Sequence, residues 1–180
     1  MKIIENALSM FSVQDRDGEF IIFIPGEEFG NALYSFIQAL LKITDVSYLS
    51  REIVRNTFLE DFQGFMTENV AKERLIIDWH NKDRDPEGRY TVSYCINGVE
   101  TPLLLHGLVN DDHVRDATIS LQKLESWEMS FSAVGVFHDQ ETINRKVLAR
   151  YSDVCDKQFP DFYGGKDRIS RYIQQWLERA

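Results

Sequence analysis

Apolar residues recur with two different periods along this chain, and the changes of period predict its elements. The segments MFSVQ and EFIIFIP flank the turn DRDG, in which Asp17-Gly18 is a favoured pair for a β-hairpin. Apolar residues in EFIIFIP point both ways, so we expect that strand to be covered on both faces. Two helices follow, GEEFGNALYSFIQALLKI and a second from about residue 50 to residue 70, since both have helical apolar spacing. The short connection TDVSYL predicts that they are neighbours.

The stretch from Arg74 to Phe159 reads as strand, strand, strand, helix, strand, helix. The strands are LIIDWHN, YTVSYCINGVE, TPLLLHGLVN and FSAVGVF, and the helices run from 111 to about 127 and from 139 to about 159. We expect the third and fourth strands to be parallel neighbours, because a strand–helix–strand unit of this length favours a right-handed crossover. The sequence therefore predicts an α/β fold with a mixed sheet.

The whole chain of 180 residues is predicted to be a single domain, since it is long enough to bury an ordinary core and shows no linker or repeat. Within this domain, residues 1–73 form the hairpin and the two helices. Residues 74–159 form the α/β core, and residues 160–180 form a C-terminal helix.

The formal net charge of −9 argues against a general phosphate-binding surface, so we expect no direct contact with nucleic acid. An acidic surface suits a basic protein partner, and it also serves solubility alone. No apolar run is long enough to cross a membrane, and the opening MKIIENALSMF lacks the apolar core of a signal peptide. Cys95 and Cys155 are far apart and predict free thiols, Cys95 in a strand and Cys155 in a helix. These features together predict a cytoplasmic protein.

Two stretches, GNALYSFIQALLKITDVSYLSRE and NDDHVRDATISLQKLESW…FHDQETINRKVLARYSDVCDKQF, resemble an uncharacterised bacterial and phage family of domains of unknown function. The resemblance covers the chain from Gly30 to Phe159 and implies an origin in a mobile element. Members of the family carry a longer N-terminal part with a Leu-Thr-Asp-Asp-Gly-like segment, which this sequence lacks. The family implies no reaction.

The order of the elements in the α/β stretch is similar to the core of the restriction-endonuclease-like nuclease fold. That fold places an Asp at the start of the second core strand and a Glu-x-Lys on the third, where the carboxylates hold Mg²⁺. Here the second strand offers Ser93, and the third offers Leu104, Leu105 and His106. Because Ser and Leu do not replace hard oxygen ligands, the resemblance implies a degenerate active site. Asp78 on the first strand is an alternative ligand if the register differs.

Polar residues follow the third and fourth core strands, where open α/β sheets bind ligands. The candidate rim consists of Asn110, Asp112, Arg115, Asp139 and Arg145. One interpretation is a pocket for a small or anionic ligand. The favoured interpretation is that the acidic residues cap two helices and the arginines pair with them.

His106 and His113 would be metal ligands if an Asp lay nearby. A buried, hydrogen-bonded histidine is the favoured interpretation of His106, which lies in an apolar strand. No nucleophile motif or phosphate-binding loop is present, so we predict no metal, no cofactor and no catalytic residue.

Acidic residues recur in predicted loops and helix starts, and they form the candidate interaction surface. Its members are Glu27, Glu28, Glu60, Asp61, Asp83 and Asp85. The leading hypothesis is a non-catalytic accessory protein of a mobile element or phage, which uses this surface to bind and inhibit a basic, nucleic-acid-handling or defence factor of the host. The alternatives are a metal-dependent nuclease with displaced ligands and an α/β domain that binds a small anionic ligand.

Overall fold

The computed structural model of the protein describes residues 6, 8–98 and 100–178. Most of the opening segment, on which the prediction of no signal peptide depends, lies outside these residues. The chain divides into two compact units, Met1–Asn56 and Thr57–Ala180, called unit 1 and unit 2. Each unit contains hydrophobic core residues of its own. The single domain over 1–180 stays a prediction.

Unit 1 contains the predicted hairpin, formed by antiparallel strands β1 (Val13–Arg16) and β2 (Glu19–Ile22). Asp17 and Gly18 form its two-residue turn with φ angles of 54° and 89°. Positive φ at both central positions gives the turn the twist of the flanking strands, which explains why an Asp-Gly pair stands here.

Only one side of the hairpin is covered within the described part of unit 1. Phe20 and Ile22 pack against a small cluster built on Leu8, Val13 and Ala39. Ile21 and Phe23, which point the other way, are 38% and 85% exposed. The expectation that this strand is covered on both faces is therefore wrong for the described residues.

One long helix, α1 (Phe29–Asn69), stands where the sequence predicts two. The predicted connection TDVSYL is helical throughout. It contains neither Pro nor Gly, and the hydroxyl of Thr44 donates to the carbonyl of Leu40, a bond that lets threonine sit inside a helix. Polar and β-branched residues weaken a helix but do not by themselves end it.

Unit 2 contains a five-stranded sheet in the order β3-β4-β5-β6-β7. Its strands are β3 (Leu75–Trp79), β4 (Val92–Ile96), β5 (Leu103–Leu108), β6 (Ser132–Phe137) and β7 (Lys157–Phe159). The pairs β3–β4 and β4–β5 are antiparallel, whereas β5–β6 and β6–β7 are parallel. Helix α2 (Asp111–Ser126) connects the parallel neighbours β5 and β6. The predicted mixed α/β sheet and its parallel central pair are confirmed.

The predicted long helix over 139–159 is wrong at both ends. A 3₁₀ turn occupies Gln140–Thr142, helix α3 covers only Arg145–Ser152, and the last residues form β7. Consequently Cys155 lies outside the helix in which the sequence placed it, while Cys95 lies in β4 as predicted; both thiols are free.

A carboxylate explains why the chain leaves the helix after α3. Asp156 accepts hydrogen bonds from the hydroxyl of Ser132 at 2.8 Å and from the backbone N–H of Ala133 at 2.7 Å. These bonds hold the segment after α3 against the start of β6, so that β7 pairs beside it.

Both faces of the sheet are covered within unit 2. Alternate residues of β5 point to opposite faces, Leu103 and Leu105 to one and Leu104 and Leu108 to the other. The first face packs against Phe58, Phe62 and Met66 of α1 and against helix α4 (Phe162–Leu177), and the second against α2 and α3. Among the described residues, no helix has the continuous apolar length that a bilayer-spanning helix needs.

Candidate functional site

A cleft of about 540 Å³ opens in unit 2 where strands β4 and β5 separate. Their register runs only from Ile96↔Leu103 to Tyr94↔Leu105, although β4 begins at Val92 and β5 ends at Leu108. The unpaired ends form the two prongs of a fork. We call the space between them, with the parts of α1 and α2 that line it, the fork cleft.

Three polar residues form a row across neighbouring strands at this cleft. The register of β3 with β4 includes Ile77↔Tyr94 and Trp79↔Val92, which leaves Asp78 opposite Ser93. Beyond the last pair of β4 and β5, Ser93 and His106 are the next residues of the two strands, and the backbone N–H of Gly107 donates to the hydroxyl of Ser93 at 3.5 Å. All three residues line the fork cleft. The sequence singles out each of them separately, but it does not show that they converge.

Asp78 has an unusual backbone conformation for a strand residue. Its φ angle is 50°, in the left-handed region that aspartate enters more readily than most residues. Such a conformation costs about 1–3 kcal/mol and persists only where the surrounding structure enforces it. The strain lies in the wall of the cleft.

His106 is 4% exposed, and its Nε2 atom has no hydrogen-bond partner among the described residues. Burial, together with the nearby charge of His113, lowers the pKa of His106 to about 4. The imidazole is therefore neutral near pH 7. The predicted buried histidine is present, but it lacks at Nε2 the hydrogen bond that a structural histidine would make.

Charged groups surround the neutral histidine. Asp78 and Asp116 line the fork cleft with exposed carboxylates, and Arg89 lines it with a guanidinium that forms an ion pair with Glu87. Burial and the charge of Asp78 raise the pKa of Tyr94 to about 12. Within the described part of the chain, no group of three or more His, Cys, Asp or Glu side chains is arranged to hold a metal ion.

None of the candidate rim residues lines the fork cleft, and their side chains mostly serve helix ends. Asn110 caps α2 by accepting from the backbone N–H of His113 at 3.0 Å, and Asp139 caps the 3₁₀ turn in the same way. Arg115 pairs with Asp112 at 2.6 Å and with Asp111 at 3.3 Å. Arg145 is the exposed first residue of α3.

The expected acidic caps are replaced by asparagines at both helices, Asn110 for α2 and Asn144 for α3, whereas Arg115 pairs with two aspartates. Asp111 also accepts from the backbone N–H of Asn144 at 2.8 Å, which ties the start of α2 to the segment before α3.

The candidate acidic surface needs one correction. Asp85 is 4% exposed and accepts from the backbone N–H of Tyr90 at 2.8 Å, so it closes a loop and presents no charge to a partner. The remaining five residues, Glu27, Glu28, Glu60, Asp61 and Asp83, are exposed. Of these, Asp61 accepts a hydrogen bond from the hydroxyl of Tyr163 at 2.9 Å.

A larger surface feature, which the sequence reasoning missed, lies in unit 1. Large apolar side chains of α1 are exposed there on consecutive turns: Phe29 63%, Leu33 61%, Tyr34 66%, Ile37 45%, Leu40 38%, Leu41 55% and Tyr48 63%. These side chains and Phe23, which directly follows β2, are called the apolar face of unit 1. Phe29 and Leu33 also border a groove of about 500 Å³ against β2. The signal was the apolar spacing itself, from which the sequence analysis predicts only helices.

Comparison with known proteins gives one partial match. A family model described as "Domain of unknown function DUF1828" matches residues 1–43. This match overlaps the stretch on which the sequence resemblance was based over residues 30–43 only. No curated protein and no solved structure matches the chain significantly. The comparisons therefore support similarity to an uncharacterised domain of unknown function over the N-terminal residues, and they supply no reaction.

Proposed function

We propose that this protein is a non-catalytic binding protein and that its partner docks as an amphipathic helix on the apolar face of unit 1. The observation that carries the proposal is the run of exposed apolar side chains on α1. Contiguous apolar surface of this kind marks interaction sites, because its exposure to water is unfavourable and a partner that covers it gains free energy.

The spacing of these side chains favours a helical partner. Leu33, Ile37 and Leu40 follow one another at intervals of four and three residues. This is the repeat with which two helices interlock their side chains along a shared seam. Tyr34 and Leu41 lie beside the seam and widen it into a surface that receives the apolar side of a second helix.

The charge near this face defines the chemistry of the partner. Exposed Glu27 and Glu28 immediately precede Phe29, and exposed Glu19 precedes Phe20 of the groove. A partner helix with Lys or Arg beside its apolar stripe complements these carboxylates. Such charges mainly accelerate the encounter, so association slows as ionic strength rises.

Further parts of the proposal rest on the sequence resemblances. We place the protein in the cytoplasm as an accessory protein of a mobile element or phage that inhibits a basic, nucleic-acid-handling factor of the host. The order of elements in unit 2 supports a nuclease-like scaffold, and Ser93 and His106 at the fork support the loss of the Mg²⁺ ligands. The alternative of a metal-dependent nuclease retains one supporting observation, because Asp78 and Asp116 line the same cleft.

The test compares variants that introduce aspartate at exposed apolar positions of different units, two positions in unit 1 and one in unit 2. The double variant Leu33→Asp, Ile37→Asp places charge on the apolar face. The control Ile119→Asp does the same at a 53% exposed helical position in unit 2. Partners captured from host lysate by the wild type are identified by mass spectrometry, produced separately and measured by titration. We expect the double variant to weaken binding by about 100-fold or more and the control to bind as the wild type does.

Hydrogen exchange on the purified complex locates the contact on both proteins. Protection on α1 together with protection of a helical segment of the partner supports the proposal. Equal binding by both variants overturns it, and so does protection confined to unit 2. A complex that contains only copies of this chain, with a mass measured by light scattering, overturns the assignment of a heterologous helix.

A further inference from the structure

The fork cleft contains an incomplete hydrogen-bonding site. The buried Nε2 atom of His106 lacks a partner among the described residues, although buried polar atoms nearly always have one. A neutral imidazole keeps one nitrogen as an acceptor, and its low pKa preserves that lone pair well below pH 7. Nε2 itself is closed to solvent, but His106 lines the cleft, so a molecule that contacts the imidazole there would supply the missing hydrogen bond.

The formal charges of the cleft favour a positive guest. Asp78 and Asp116 supply two carboxylates; of the basic residues in the lining, Arg89 pairs with Glu87, and the charge of His113 acts on His106. The row Asp78–Ser93–His106 contains no cation, so an anion there would meet a carboxylate and a neutral imidazole. A metal ion is disfavoured, because no sufficient group of ligands is present among the described residues.

Neutral acceptors and apolar walls complete the environment. The hydroxyl of Ser93 and the side-chain amide of Gln63 line the cleft, and each has an oxygen that accepts from an N–H group. Leu59, Ile77 and Leu108 line it as well, which suits the methylene chain of an amine. The volume of about 540 Å³ falls in the range of small-molecule sites.

From these observations we infer that the fork cleft binds a small organic cation with N–H donors, an alkylammonium or guanidinium compound, whose charged end lies between Asp78, Asp116 and the Nε2 atom of His106. This site lies wholly in unit 2 and is independent of the docking proposed for unit 1.

The probe is agmatine, which has a guanidinium at one end and a primary ammonium at the other. Hexamethonium serves as the matched control compound, because it carries two positive charges but no N–H donor. Titration calorimetry measures affinity, and the ¹⁵N resonances of labelled histidine report directly on the Nε2 atom of His106. We expect agmatine to bind and to shift the His106 Nε2 resonance, and we expect hexamethonium to do neither.

The variants separate recognition from general attraction by an acidic protein. Asp78→Asn and His106→Gln each remove one partner of the cation, so affinity for agmatine should fall by about tenfold or more in each. Glu68→Gln removes an equal charge from an exposed site on α1 outside the cleft and should leave affinity unchanged. Asp78 is exposed, so its variant tests the site even if His106→Gln fails to fold.

Any of three results would overturn the inference. The first is an unshifted His106 resonance at millimolar agmatine. The second is equal affinity of agmatine for the wild type and Asp78→Asn, and the third is equal binding of hexamethonium; either of these two would mean that overall negative charge alone attracts the compound.

Discussion

The two parts of helix α1 have similar apolar side chains and opposite surroundings. In unit 2, Phe58, Phe62 and Met66 are all 0% exposed, whereas in unit 1, Phe29 and Leu33 are 63% and 61% exposed. Both parts have apolar residues at helical spacing. This difference shows that helical apolar spacing identifies a face that packs against another element, but it does not show whether that element belongs to the same chain.

The consequence is a division of energy between folding and association. Burying an apolar side chain stabilises the fold when the covering residues belong to the same unit, as they do around Phe62. The same burial remains available for binding when the face stays exposed, as it does at Leu33. Mutations around Phe62 should therefore change the stability of the fold, whereas mutations around Leu33 should change the affinity for a partner.

The largest expected effect is on stability in unit 2. Phe62→Ala removes a ring that contacts Phe58, Tyr94 and Phe162, so we expect a loss of about 3–5 kcal/mol in the free energy of unfolding. Leu33→Ala is the matched truncation on the exposed part of the helix and should change it by no more than about 0.5 kcal/mol. Urea denaturation measures both. Similar losses in the two variants would mean that the comparison between the two parts of α1 is wrong.

A second prediction uses pH to follow the buried histidine. His106 has a pKa of about 4 in the folded protein against an ordinary value of 6.5, because burial disfavours its charged form. Between these values the unfolded chain binds more protons, so stability falls as pH drops from about 6.5 towards 4, by about 3 kcal/mol in total. Comparing urea denaturation at pH 7 and pH 4.5 for wild type and His106→Gln isolates this contribution.

The His106→Gln variant should lose less stability on acidification than the wild type, because the other titrating groups are common to both. Equal losses would show that His106 titrates normally, and the description of the fork cleft around a neutral imidazole would then fail.

A third prediction concerns the contact between β5 and α1. A Cβ atom at Gly107 would lie 2.9 Å from Cδ1 of Phe62, and that ring is enclosed by other aromatic rings, so Gly107→Ala should cost about 1–3 kcal/mol. Gly64 provides the control, because it lies inside α1 with nothing within 4 Å of an added Cβ. Gly64→Ala should raise stability by about 0.5–1 kcal/mol. Thermal unfolding of the two variants should shift in opposite directions, and a neutral Gly107→Ala would mean that α1 does not pack tightly on β5.

The last prediction is the absence of nuclease activity. We expect the purified protein not to cleave DNA or RNA with Mg²⁺ or Mn²⁺, because Ser93 and the Leu104–His106 segment lack the oxygen ligands that these ions require. Gel assays at both metals, with a known nuclease as positive control, test this. Cleavage that disappears in Asp78→Ala would revive the nuclease alternative and make unit 2 the functional part.

The sequence predicted the centre of the sheet well and its edge poorly. The strand TPLLLHGLVN and its parallel neighbour FSAVGVF have long apolar runs that only a doubly covered strand explains. Strand β7 has three residues, two of them the polar Lys157 and Gln158, so it has no periodic signal of its own. It exists because Asp156 holds the preceding segment on β6, a contact between residues 23 and 24 positions apart.

The candidate site was less predictable, because its position depends on where pairing stops. Asp78, Ser93 and His106 are separated along the chain and meet only through the registers of β3, β4 and β5. Nothing in the local pattern shows that β4 and β5 separate beyond Tyr94 and Leu105. By contrast, the residues at the ends of β5 and β6 were visible in the sequence, but the expected acidic caps differ in detail, since Asn110 caps α2 and Asp139 caps a 3₁₀ turn rather than a helix.

Helix α4 has a consequence for synthesis on the ribosome. It supplies Phe162, Ile169 and Ile173 to the core that also contains the apolar residues of α1, and Ser170 bonds to Asn69, 101 residues earlier. Because the N-terminal residues leave the ribosome first, that core remains incomplete until α4 has left the exit tunnel. Until then the sheet alone covers Phe58, Phe62 and Met66, and chaperones that recognise exposed apolar helices have a substrate at both ends of α1. The arrival of α4 completes the cover at one end and leaves the other end exposed.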